Sequence, residues 1–471
     1  MANEPEKKDV KGAEVEGETL LTKFGYKQEL SRALSILGNV TIAVSDVSPT
    51  TGVFMQLPVI LVMAGTGAFW AYVLGAIIAL CVALTMGELG SRYPISGGLY
   101  SIVLRVLGRP IGFIAFVDYL VQGAFVPGTV GLAAAIYLSA ILNVNVLVLA
   151  PIVMILATLI AIINIQQSAK LVGFFLVLEL AVVTVIGLVC IVQPVQPLSV
   201  LINPITYGQG QTVPTPVTIG MIFAAVTVVL FGFNGYDSAI NFSEETKGAA
   251  ANVGKSVFNA AWIGIVFQVV PIIGIILTAP SLAEFLNSSA PITYIGEARL
   301  GSIAGTLLNL GAAVAMFNCT IACIIQFARV LYSSGRDKAW PNAVNNLFTK
   351  VSDRFKTPWV ATIVVGFIAG VLVFFGSLLA LVTFGAVMIV VLYVLIAICN
   401  IVDRRRGNMP AFKMPLWPIP PVIALVGGIA ALSQQTVKDM VIVVVIFALG
   451  LIYYFAYLNP RRKTHWNVGD K

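Results

Sequence analysis

Four carboxylates, Asp46, Asp118, Glu179 and Asp237, lie deep inside long apolar runs of this chain, and no lysine or arginine lies deep enough to pair with them. An unpaired carboxylate in hydrocarbon is costly, so each must face water, meet a cation or carry a proton. Acids without a base point to the handling of cations: an amine, a sodium ion or a proton. Two of the four border interruptions. The stretch "VSDVSPTTGVF", residues 44 to 54, places Asp46, Ser48, Pro49, Thr50, Thr51 and Gly52 in the middle of an apolar run. Pro49 removes a backbone donor, and Gly52 lowers the cost of leaving helical geometry. In "LFGFNGYDSAINFSEE", residues 230 to 245, Gly232 and Gly235 bracket Phe233 and Asn234 just before Asp237. A helix broken inside lipid leaves backbone groups unpaired unless it lines a cavity or meets a ligand.

The elements that carry these residues follow from composition. The chain has 471 residues, of which 58% are hydrophobic and 10% charged, the balance of an all-α polytopic membrane protein. Hydropathy predicts twelve transmembrane helices, at 34–64, 67–90, 111–139, 146–165, 170–192, 217–246, 256–279, 302–335, 358–376, 378–402, 419–436 and 440–458. With the N-terminus placed in the cytoplasm, every lysine and arginine except Arg299 and Lys438 falls on the cytoplasmic side. The positive-inside rule therefore predicts cytoplasmic termini, with tails at 1–33 and 459–471. The net charge of +7 is thus explained by topology, and a nucleic-acid partner drops out. The first residues lack the apolar core of a cleavable signal peptide. Five cysteines (81, 190, 319, 323 and 399) sit in apolar spans without paired spacing, and His465 is the only histidine. Neither a disulfide framework nor a zinc site is expected, and no cofactor is called for.

The two interruptions fall in spans 1 and 6, five spans apart. That spacing predicts two inverted repeats of five helices, 34–192 and 217–402, followed by a helix pair at 419–458. In such an arrangement the ligand lies at discontinuous helices near the membrane midplane, where half-helix N-termini favour anions and C-terminal carbonyls favour cations.

Three further stretches carry a family likeness: "GELGSRYPISGGLYSIVLRVLG" (87–108), "FNGYDSAINFSEETKGAAANVGKSV" (233–257) and "ARVLYSSGRDKAWP" (328–341). They resemble the amino acid–polyamine–organocation permeases in motif, order and loop position, over nearly the whole chain. "LLTKFGYKQELSRALS" (20–35) resembles the entry segment of the amino acid/choline subfamily. Gly248, Ala249 and Ala250 depart from the prolines that usually follow the EET motif. The resemblance implies the leucine-transporter type of fold.

It also implies roles for single residues. The family's glycine-rich substrate loop falls on Thr50, Thr51, Gly52, Val53 and Phe54, beside Ser48, where backbone N–H groups would hold a carboxylate if the substrate has one; choline, ethanolamine or a polyamine has none. The site aromatic falls on Phe231, and the carbonyls that receive the amine fall around Phe231, Asn234 and Gly235. Asp237 takes the place of the family's gate or coupling acid. Glu179 stands where cationic-type permeases of the superfamily carry a lysine at the second ion position, so a negative group has replaced a positive one. We therefore expect Asp46 and Glu179 to form a shared proton or cation site completed by Asn318 or Thr320, with Na⁺ as the alternative occupant. Asp118 is expected to line the inner vestibule or to pair with Arg92. Glu244 and Glu245, with Arg92, Arg329, Arg336 and Asp337, are expected to form charge networks at an inner gate.

These readings favour a secondary transporter of an amino acid or small organic amine in the plasma membrane. The spans offer no histidine and no catalytic Ser–Lys or Asp–Asp pair, which argues against an enzyme. No filter repeat suggests a channel. No G-x-x-x-x-G-K-[ST] stretch exists to bind ATP, so the energy must come from an ion gradient or from exchange.

Overall fold

A computed structural model describes residues 22, 25–163, 165–208, 213–288, 290–407 and 411–466. Residues 1–21 of the expected N-terminal tail, with most of "LLTKFG", and residues 467–471 of the C-terminal tail lie outside the described residues.

The helices run in order as α1 (Ile36–Val47), α2 (Pro49–Thr51), α3 (Leu57–Ala64), α4 (Ala68–Arg92), α5 (Gly98–Leu107), α6 (Arg109–Leu142), α7 (Val146–Ala161) and α8 (Ile165–Val192). Then come α9 (Ser199–Ile202), α10 (Ile219–Phe233), α11 (Ser238–Asn241), α12 (Ala249–Thr278), α13 (Leu282–Asn287) and α14 (Pro291–Leu300). The chain ends with α15 (Ser302–Arg336), α16 (Asn342–Phe348), α17 (Trp359–Leu372), α18 (Leu378–Arg405), α19 (Ile419–Leu432) and α20 (Val437–Tyr453). Polar residues begin several of them. Ser35 accepts from the Gly38 N–H, Thr218 from Met221 and Ser377 from Ala380, satisfying donors that a first turn leaves free.

Eight helical runs among the described residues are long and apolar enough to cross a membrane, the first of them joining Ile36 to Arg92. Expected spans 4, 9 and 11 fall on shorter apolar helices: α7, α17 and α19 have 16, 14 and 14 residues. Two features were not anticipated. α5 is an additional helix in the loop after α4. The loop 193–216 holds a two-stranded antiparallel hairpin, β1 (Ile205–Tyr207) against β2 (Pro214–Pro216), with Ile205 opposite Pro216. The all-α expectation fails there because Pro214 and Pro216 disfavour helix and tolerate an edge strand.

The interior forms around α15, which packs on α6, α8 and α1, while α12 packs on α4, α8 and α1. Every α15 residue from Asn318 to Gly335 is buried. Peripheral helices behave in the opposite way. α20 buries only Val443, and α8 leaves Phe174, Val177, Leu178, Val185 and Leu188 exposed. Apolar side chains turned outward over whole helix faces suit a lipid solvent and would be costly in water.

The bundle's centre holds both interruptions. α1 stops at Val47, and α10 stops at Phe233. Gly235, at φ 120°, sits so close to the other break that a Cβ there would lie 2.4 Å from the Val47 nitrogen and 2.5 Å from the Asp46 carbonyl carbon. The crossing therefore depends on a residue without a side chain. An alanine pays about 1–2 kcal/mol for a left-handed conformation alone, and here the contacted atoms are backbone. Gly235→Ala should lower the melting temperature of the purified protein clearly, whereas Gly385→Ala, whose Cβ would meet nothing nearer than 3.7 Å, should leave it nearly unchanged. Equal melting temperatures for Gly235→Ala and wild type would contradict this account of the crossing.

Candidate functional site

The first break is made by proline chemistry. Pro49 begins α2, and the residue before a proline is driven out of the α region. Ser48 takes φ 44° and ψ 82°, closing α1 with its own N–H on the Val44 carbonyl. Of the two residues that mark the break in the sequence, Pro49 stands at it, whereas Gly52 is helical (φ −57°, ψ −42°) and opens a π-helical turn, Gly52–Gln56. Glycine is needed at 52 for close approach instead. A Cβ there would lie 1.9 Å from the Gln268 side-chain oxygen.

Glu179, from the unbroken α8, holds the restarted helix. Its Oε1 accepts from the Ser48 hydroxyl at 2.6 Å and from the Thr50 N–H at 3.2 Å, and its backbone carbonyl accepts from the Thr50 hydroxyl at 2.8 Å. Ser48 Oγ in turn lies 2.5 Å from Thr51 Oγ1. The carboxyl group of Glu179 therefore occupies the half-helix N-terminus expected to receive the carboxylate of a substrate that has one.

The second break spans Asn234 to Asp237. Asn234 is extended, and its side-chain amide donates to the Tyr393 hydroxyl at 3.2 Å. The freed Gly232 carbonyl accepts from Gln268 at 2.8 Å. Phe231 is buried, with its ring edge toward Gly385. Asp237 Oδ2 accepts from the Tyr119 hydroxyl and from Gln326 at 2.9 Å, and Asn241 donates to the same tyrosine oxygen at 2.7 Å.

The expected pairing of Asp46 with Glu179 is not a direct contact. Both acids border Cys319. The Asp46 carboxyl lies beside the Cys323 thiol and the Ser238 hydroxyl, while Glu179 lies beside Ser48, Thr50 and Asn318. Asn318 is buried with neither side-chain polar atom hydrogen-bonded. Thr320 does not join: its hydroxyl donates to the Met316 carbonyl of its own helix at 2.8 Å. Asp118 is buried and takes a bond from Gln122 at 3.3 Å, and Arg92 pairs with Asp403 instead.

Two glutamines missed by the sequence reading belong to the centre. Gln56 and Gln268 both border Gly232, and Oε1 of each is buried without a partner. Asp46 Oδ2, Glu179 Oε2 and Asp237 Oδ1 are also unpartnered. Polarity at mid-span was the available signal for both glutamines.

One end of the bundle is closed by charge. Arg329 and Glu245, both fully buried, form a two-point ion pair at 2.9 and 3.0 Å, and Arg336 grips Glu244 at 2.9 and 2.6 Å. Arg404 pairs with Glu88 at 2.6 Å. Asp337 accepts from the Tyr26 and Tyr100 hydroxyls. Burial pushes its carboxyl above the usual range, while these hydroxyls and Arg105 and Arg336 pull the other way. Part of the C-terminal tail docks here too: Trp466 is buried, stacks on Tyr100, and donates its backbone N–H to the Asp337 carbonyl at 3.0 Å.

A helical bundle with apolar outer faces, two interrupted helices crossing at its centre and a charged plug at one end is the build of a membrane permease. A family model described as amino acid permease matches residues 33–467, and the chain belongs to that family. A branched-chain amino acid permease of Bacillus subtilis is 24% identical, covering 88% of this chain and 90% of the relative. A serine/threonine exchanger of the same organism is 25% identical over 92% and 98% of the two chains. A methylthioribose transporter, also from Bacillus subtilis, is 23% identical over 93% and 95%. These relatives are named as permeases, exchangers and transporters, and this chain is likewise a membrane transporter and not an enzyme.

The fit of Gln268 against Gly52 can be tested by a double-mutant cycle. Gly52→Ala should destabilise the protein, because the new methyl displaces Gln268 from the Gly232 carbonyl. Gln268→Ala should itself cost about 1–3 kcal/mol by leaving that carbonyl unpaired. In the double variant the two losses should be much less than additive, since the clash is gone. Strict additivity of the melting shifts would show that the two residues do not meet.

Proposed function

We propose that this permease moves an amino acid or small organic amine across the plasma membrane by alternating access, with both termini in the cytoplasm and two inverted five-helix repeats forming the moving parts. The observation that carries the reading is the set of buried, unpartnered acceptors between the two breaks: Asp46 Oδ2, Gln56 Oε1, Glu179 Oε2 and Gln268 Oε1. Acceptors without donors call for a ligand that brings N–H groups, and an ammonium supplies three. Phe231, Asn234 and Gly235 would flank the ammonium, the Phe231 ring adding cation–π attraction. Ser48, Thr50, Thr51 and Gly52 would face the other end of the substrate. Asp237, held by Tyr119 and Gln326, would report the substrate's arrival to the charged end.

Glu179 supplies the coupling. While ionised it holds the Ser48 hydroxyl and the Thr50 N–H, the donors that a substrate carboxylate needs. Taking a proton weakens that hold, so the proton and a carboxylate-bearing substrate favour each other's binding. By linkage the effect is reciprocal. A substrate without a carboxylate leaves Glu179 in place and can move by exchange. The exchanger among the relatives is in keeping with the second mode.

Two experiments check this. In a thermal-shift panel on the purified protein, amines or amino acids should raise the melting temperature, because a ligand bound only by the folded state stabilises it. Stabilisation by simple dicarboxylates but by no amine would overturn the substrate class. In liposomes, one proton per substrate and a pH step of about one unit support an accumulation ratio of about tenfold. Glu179→Gln should bring that ratio to about one while exchange continues, because glutamine still accepts at Ser48 and Thr50 but carries no exchangeable charge. Unchanged accumulation by the variant would make Glu179 a structural acid, and a strict need for Na⁺ in wild type would replace the proton with sodium.

A further inference from the structure

Cys319 and Cys323 are one helical turn apart on α15, and their sulfurs lie 3.8 Å from each other. Asp46 reaches them from the end of α1. One carboxylate oxygen and the two sulfurs all lie within 4.8 Å of one another, and all three residues are buried. Asp46 Oδ2 has no hydrogen-bond partner, although Asp46 is only 5% exposed. The Asp46 carbonyl, at the C-terminal end of α1, accepts a 3.2 Å bond from the Cys319 thiol, so a further oxygen lies on the same spot. Sequence spacing does not show the cluster, because the third ligand comes from a different helix 273 positions away in the chain.

We propose that Asp46, Cys319 and Cys323 form a binding site for a soft divalent metal ion, zinc being the biological occupant and cadmium a ready probe. Zinc takes sulfur at about 2.3 Å in tetrahedral geometry, which places two sulfur ligands about 3.8 Å apart, the spacing found here. Thiolates select soft ions, and hard ions such as Na⁺ or Mg²⁺ prefer all-oxygen sites, so this position is distinct in chemistry from the Glu179 cluster. Binding displaces the two thiol protons: each sulfur gains a bond to the metal and releases its proton to water, with no change of oxidation state. The bound ion ties the end of α1, just before the break at Ser48, to the middle of α15, and it occupies Asp46, one of the acceptors counted in the proposed function. The inference does not depend on which substrate the protein carries.

Cadmium alone, added to the purified full-length protein, is the test. The expected result is a thiolate-to-cadmium charge-transfer absorption that saturates at one ion per chain, with a rise in melting temperature. Replacing Cys81, Cys190 and Cys399 together by serine should leave both readouts intact. Cys319→Ser and Cys323→Ser should each weaken binding at least about tenfold, since even the loss of a group that only orients a ligand costs about that much, and Asp46→Asn should weaken it with both thiolates still absorbing. A measurement on wild type stands beside the variants in case one fails to fold: cadmium should protect Cys319 and Cys323, and no other cysteine, from alkylation read by peptide mass. Absorption that disappears with the other three cysteines, protection spread over all five, or no saturable binding would each overturn the site.

Discussion

A backbone that stops being helical inside hydrocarbon must have its freed groups satisfied by something other than water, and the centre of this permease is organised by that requirement. Two side chains do most of it, and both come from unbroken helices. Glu179 of α8 holds the restart of the first broken helix through Ser48 and Thr50, and Gln268 of α12 holds the end of the second through the Gly232 carbonyl. Because α8 and α12 pack on each other and on α1, the two breaks are fixed to one framework. A displacement of that framework relative to α15 and α18 therefore acts on both breaks together.

The charged end obeys a different balance. A fully buried pair such as Arg329–Glu245 costs desolvation that its attraction barely offsets, so it is weak evidence for stability. What suits such pairs to a gate is that the alternative is also acceptable: when water enters, each charge regains its hydration. A closed and an open end then differ by little, which a two-state transporter needs. An apolar plug would hold one state far more strongly, because opening it would expose its surface to water. The docking of Trp466 on Tyr100 and Asp337 adds apolar burial to this end and extends the closure from the helices to the tail.

The membrane class, the positions of the helices and the existence of both interruptions were legible in the sequence, because each rests on local composition: apolar length, proline and glycine. The first break lies inside the stretch 44–54 that the sequence marks with Pro49 and Gly52: it falls at Ser48, which the following proline keeps out of the right-handed helical region, while Gly52 stays helical. The partners of the deep acids were not legible. Glu179 meets Ser48 across 131 positions, and which face of α8 it occupies is set by packing rather than by any pattern in α8 itself. Asp46 was expected to meet Glu179 because both are acids near one break; instead Asp46 lies beside Cys323 and Ser238, and Glu179 beside Ser48, Thr50 and Asn318.

That separation shapes how charge can move through the centre. Two carboxylates in contact would share one proton and behave as a single titrating unit. Here Glu179 is bound by donors of the first break, while Asp46 keeps an oxygen free beside a pair of thiols. On the proposed function the first acid would exchange its donors for a proton, since protonation removes the charge that holds the Thr50 N–H. The second is placed to accept a proton or a cation without disturbing the helix restart. The lysine that the superfamily resemblance implies at the position of Glu179 would differ from it in more than sign. A lysine offers donors to the carbonyls of the break, whereas Glu179 consumes the donors of the half-helix N-terminus. An anionic group of a substrate at this half-helix N-terminus would have to compete with it, and on the proposed function that competition would turn on the protonation of a side chain on an unbroken helix.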